Sequence, residues 1–135
     1  MAFIDWSSKI AVNVTEIDKQ HKKLVDIVNE LYSAMTGGKG AAVMGKVLTE
    51  LIDYTKYHFA TEEKMIVQYK YSDNNTHKSE HDKLTKQVLD LKKQFDEGKM
   101  VVTVEVMNFL KNWLGEHILN KDKLLAAFLN QKGIT

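Results

Sequence analysis

Four runs of residues step alternately by four and three along this chain, and that repeat limits the fold more than any other feature. The first run is Ile17, His21, Leu24, Val28, Leu31 and Met35. Met44, Leu48, Leu51, Thr55, His58, Glu62, Met65 and Tyr69 make the second. His77, His81, Leu84, Val88, Leu91 and Phe95 make the third; Val102, Val106, Phe109, Trp113 and His117 make the fourth, with one irregular step at its end. Alternation of this kind draws a single stripe along an α-helix, the seam by which packed helices meet.

The intervening stretches are short and end helices. "TGGKG" (36–40) closes the first, "YSDN" (71–74) separates the second from the third, and "EGKM" (97–100) separates the third from the fourth. Short links make consecutive helices antiparallel neighbours. The expected fold is therefore all-α, an up-down-up-down four-helix bundle with an irregular N-terminal arm. The chain reads as one domain, 1–135, with the arm over 1–16. Helices are expected at about 18–36, 41–70, 74–96 and 102–118, with a short C-terminal helix at about 121–130. Phe3, Ile4 and Trp6 are expected to pack the arm onto the bundle.

Composition removes several function classes. There is no Cys, which excludes disulfides, thiolate nucleophiles, iron–sulfur clusters and covalently attached c-type haem. With 19 basic residues against 18 acidic and no basic block, neither nucleic-acid nor polybasic membrane binding is supported. No apolar run is long enough to span a bilayer, and Met1–Ile10 has no secretory pattern, so the expected location is the cytoplasm.

The seam is not wholly apolar. His21, His58, Glu62, His77, His81 and His117 lie on it, with Asp122 just beyond, and these include all five His of the protein. Burying such groups without partners costs about 1–3 kcal/mol each. In an alternating bundle, the start of the first helix, the end of the second, the start of the third and the end of the fourth lie at one level. Seven potential ligands thus converge. Imidazoles and carboxylates suit iron, zinc, copper or manganese. Seven donors exceed the needs of one ion, whereas two ions bridged by both carboxylates use all of them. Three His on one ion and two on the other leave the second with an open place. Asp122 follows His117 by five residues, about 140° around a regular helix, so both reach one site only if the backbone between Leu114 and Lys123 departs from a regular α-helix.

"IDKQHKKL" at His21, "HFATEE" at His58 and Glu62, "HKSEHDKL" at His77 and His81, and "WLGEHILNKD" at His117 and Asp122 together resemble the hemerythrins, and more closely the bacterial hemerythrin-like domains, over nearly the whole length. The resemblance implies a non-haem di-iron centre with an oxo or hydroxo bridge that binds dioxygen reversibly. Carried over by position, His77, His81 and His117 hold one iron, His21 and His58 the other, and Glu62 and Asp122 bridge them. Leu24, Phe59, Trp113, Leu114 and Ile118 correspond to the oxygen pocket. Where some members carry Tyr three residues after the bridging Asp, this chain has Leu125. Relatives serve as carriers or stores, or as sensor domains attached to chemotaxis receptors, which makes a receptor a possible tether.

Ordinary readings stand beside these. A single His on an apolar face is most often a satisfied core residue, and the pocket side chains are core first. Glu63 and Glu80 are expected in solvated surface roles, and Met35, Met44, Met65 and Met107 in packing. The alternative activity is a di-iron oxidase, peroxidase or ferroxidase. Such enzymes draw on Glu-rich sets with Glu-x-x-His pairs, whereas this chain has His-x-x-x-Glu and His-x-x-x-His. Binding without turnover, and so no enzyme, is the expectation. Haem of the b type needs only two axial ligands and leaves most of the set unused.

Overall fold

The computed structural model describes Ile4 and residues 11–72, 74–98, 103–116 and 121–135. Within them run five helices and no strand: α1 (Thr15–Thr36), α2 (Ala41–Gln68), α3 (Asn74–Asp96), α4 (Val104–Glu116) and α5 (Lys123–Gln131). Helix α1 packs against α2 and α4, and α2 packs against α3. No helix among the described residues is long and apolar enough to cross a membrane.

Helix α1 begins at Thr15, ahead of the first seam, because Asp18 secures the residues before it. Its carboxylate accepts the backbone N–H groups of Val12 at 2.7 Å and Asn13 at 3.1 Å, and Asn13 turns the chain with φ 64°. Gly38, at φ 67°, closes the far end of α1 in the left-handed conformation that costs glycine little. Of the arm residues, Ile4 packs against the core and exchanges two hydrogen bonds with Asn29: its N–H donates to Asn29 Oδ1 at 2.7 Å, and Asn29 Nδ2 donates to its carbonyl at 2.8 Å. Phe3 and Trp6 lie outside the described residues.

Two apolar clusters fill the interior. The larger joins Leu24, Val28, Leu31, Leu48, Leu51, Phe59, Leu84, Val88, Met107, Leu110, Trp113 and Leu114. A smaller one joins Val12, Val14, Ile17, Ile66, Leu125, Ala126 and Leu129. The repeat explains the division: in α1, His21 falls between Ile17 of the small cluster and Leu24 of the large one, and in α2, Glu62 falls between Phe59 and Ile66. Helix α5 lies over that end of the bundle through Leu125, Ala126 and Leu129. A polar layer is enclosed between two apolar ones.

Candidate metal centre

His21, His58, Glu62 and Asp122 are each 0% exposed, His81 1% and His77 2%. They come from four helical segments: α1 supplies His21, α2 supplies His58 and Glu62, α3 supplies His77 and His81, and the turn entering α5 supplies Asp122. Lys121 and Asp122 lie in a π-helical turn ahead of α5. His117 and Ile118 lie outside the described residues.

The donors sort into two groups of four. His21, His58, Glu62 and Asp122 form one; Glu62, His77, His81 and Asp122 form the other; in each, one ligand atom per residue lies within 4.8 Å of the rest. His21 Nε2 and His58 Nε2 are 3.2 Å apart, and His58 Nε2 is 3.3 Å from Glu62 Oε2 and 3.2 Å from Asp122 Oδ2. Across the site, Glu62 Oε1 is 3.2 Å from His77 Nε2 and 2.9 Å from His81 Nε2, while Asp122 Oδ1 is 3.4 Å from His77 Nε2. Each carboxylate therefore divides its two oxygens between the two groups.

These spacings fit a metal. Ligands ~2.1 Å from an ion and at right angles to one another are ~3 Å apart, close to the spacing of most of these atoms. Two imidazole nitrogens facing each other at 3.2 Å also cannot both carry protons comfortably. A cation between them removes that conflict.

The protons tell the same story. Burial, the charge of Asp122 and a hydrogen bond to it push the Glu62 carboxyl well above its ordinary range. Burial alone would lower His77, but hydrogen bonds to Asp122 and Glu62, and their charges, outweigh it and raise His77 to about 9. His21 is lowered, chiefly by burial, against the support of Asp122. Without a cation the cluster retains protons that a cation would displace.

Leu24, Phe59, Trp113 and Leu114 are all buried within the large cluster. Phe59 lies flat on His81, ring centres 3.9 Å apart and planes 7° apart. Trp113 donates its indole N–H to the Leu84 carbonyl at 3.1 Å, joining α4 to α3.

Two residues escaped the sequence reading. Gln20, 1% exposed, places Oε1 2.8 Å from His58 Nδ1. It precedes a seam His, and an amide between two helical stripes carries no periodic signal. Glu63, expected on the surface, is one-third exposed but brings Oε2 to 3.7 Å from His81 Nδ1, so its charge also reaches the site.

Bundle and polar layer together define a class: four-helix proteins that hold metal between their helices through buried imidazoles and shared carboxylates. Comparison with known proteins agrees. Residues 12–129 match the family model described as the hemerythrin HHE cation binding domain. A bacteriohemerythrin of Methylococcus capsulatus is 37% identical over 131 residues, 96% of this chain and 99% of that one. A hemerythrin-like protein of Naegleria gruberi is 33% identical over 118 residues, 87% of each. The crystal structure of a wild-type hemerythrin superposes with a TM-score of 0.86 at 38% identity, covering 95% of this chain and 98% of that one. The chain belongs to the hemerythrin family.

Proposed function

We propose that this protein binds dioxygen reversibly at a non-haem di-iron centre. The reading is carried by the division of each carboxylate's oxygens, Glu62 Oε2 and Asp122 Oδ2 toward His21 and His58, Glu62 Oε1 and Asp122 Oδ1 toward His77 and His81. In it, His21 and His58 would hold one iron, His77, His81 and His117 would hold the other, and Glu62 and Asp122 would be shared between the two. The ion with two imidazoles would be the one left room for a further ligand. When bound, such a ferrous pair would supply reversible two-electron chemistry toward dioxygen.

The remaining work belongs to the chain. Leu24, Phe59, Trp113, Leu114 and Ile118 are assigned as the pocket wall; apolar walls admit dioxygen and keep out the water and protons that make oxidation irreversible. Imidazole outnumbers carboxylate in the donor set. That balance favours ferrous iron and offers few anionic donors to high-valent iron, so the role is binding without turnover rather than oxidase, peroxidase or ferroxidase chemistry. The protein serves as a cytoplasmic carrier or store, or as the sensing module of a chemotaxis receptor.

Iron content with an optical spectrum tests this. Two irons per chain, and charge-transfer bands that appear with dioxygen and vanish when it is removed, are expected. One ion per folded chain, a Soret band, or charge-transfer bands that persist after dioxygen is removed would each overturn it.

A further inference from the structure

His58 belongs to the group assigned the open place, and the far side of its ring meets the Gln20 amide. Nδ1 lies 2.8 Å from Gln20 Oε1. The orientation of that amide is dictated by its other end, where Nε2 is 2.9 Å from Glu16 Oε1 and 3.3 Å from Thr61 Oγ1. A carboxylate oxygen can only accept. The Thr61 hydroxyl donates its own proton to the Tyr57 carbonyl at 3.0 Å, so toward Gln20 it too accepts. Turning the amide over would set its carbonyl oxygen against a carboxylate. Gln20 must therefore offer Oε1 to His58, and His58 Nδ1 must carry a proton. Nε2 is then the ring nitrogen that faces His21, Glu62 and Asp122 and is available to an ion there.

We propose that Glu16, Gln20 and Thr61 form a lock that fixes His58 as an Nε2 donor, with Gln20 the positioning residue and Glu16 the group that orients it. The proposal rests on the di-iron reading for the identity of the ion, but not for the position of the proton. A carboxylate in the place of the Gln20 amide would draw the His58 ring proton more strongly and make the ring a richer donor.

Nitrogen-15 NMR of the metal-free chain, together with zinc titration, tests the lock. In the wild type, His58 Nδ1 is expected to bear a slowly exchanging proton. Glu16→Lys, a change at the partly buried rim that leaves the core intact, replaces an acceptor with a donor. It should turn the amide over and move the proton to Nε2. Gln20→Leu should weaken one of two zinc-binding steps about 10–100-fold and leave the other within about threefold. Gln20→Glu should restore the weakened step and, in the iron form, lower the midpoint potential. A bare Nδ1 in the wild type overturns the lock, as does wild-type zinc affinity at both steps in Glu16→Lys and Gln20→Leu alike. A wild-type chain that takes up fewer than two zinc ions defeats the di-metal reading instead, and the Nδ1 proton still decides the lock.

Discussion

Glu62 is where stability and function oppose each other most directly. Buried, beside Asp122 and held well above the ordinary carboxyl range, it is a cost to the metal-free fold and an asset only once a cation is present. Glu62→Gln removes the charge and keeps the shape. The metal-free variant should be more stable than the wild type by about 1–2 kcal/mol in chemical denaturation, while its uptake falls below two ions per chain. A less stable metal-free variant would show that the carboxyl is well accommodated as it stands. His77 gives a second residue-scale expectation. Its folded value, about 9, lies above its ordinary 6.5. Its stabilising contribution is thus complete below pH 6.5 and fades as pH rises through 9. Glu62 acts in the same direction, whereas the lowered His21 favours the fold at higher pH and withdraws support as pH falls through the ordinary His range. Denaturation of metal-free protein at pH 6.5 and 9.5 should show a decline that His77→Gln reduces. An equal decline in both proteins would remove His77 as its source.

Two helices, α2 and α3, present these residues in pairs, and α2 adds a further side chain against the site. Successive seam positions give it His58 and Glu62, and the residue after His58 places Phe59 flat against His81 of α3. Phe59 is at once core and wall of the site. Phe59→Ala should cost about 3–5 kcal/mol in folding free energy and leave the His81 ring without its stacking partner. A loss below about 1 kcal/mol would mean the neighbouring side chains collapse into the space. The seam residues were legible in the sequence because imidazole and carboxylate stood where the repeat demanded apolar side chains. Asp122 was legible only as a problem of angle relative to His117, which lies outside the described residues; Asp122 itself sits in a π turn with Lys121. Gln20 and Glu63 were not legible. Both lie beside the stripe rather than on it, and only the packing of α1 against α2, and of α2 against α3, gives them partners.

For the whole molecule, the polar layer divides the interior into unequal parts. The smaller cluster, Val12, Val14, Ile17, Ile66, Leu125, Ala126 and Leu129, reaches the larger one across the ligands. Metal should therefore matter most to that end. An ion present at a thousand times its dissociation constant adds about 4 kcal/mol, so chelation should lower the melting temperature clearly. Amide exchange should then rise first at Ile17, Ile66, Leu125 and Leu129, while Leu31, Leu48 and Val88 keep their protection. Uniform loss across both clusters would mean the bundle opens as one unit. The order of helices and their antiparallel course were legible from the length of the links. The use of α5 as a cover for the site was not, since its apolar residues continue no earlier seam.

Asp122 meets His21 across 101 positions of chain. During synthesis, the first imidazole leaves the ribosome long before the carboxylate that completes its surroundings. A nascent or truncated polypeptide ending before residue 122 has the imidazoles but only one of the two buried carboxylates. Any ion that needs both carboxylates is consequently open only to chains translated past Asp122.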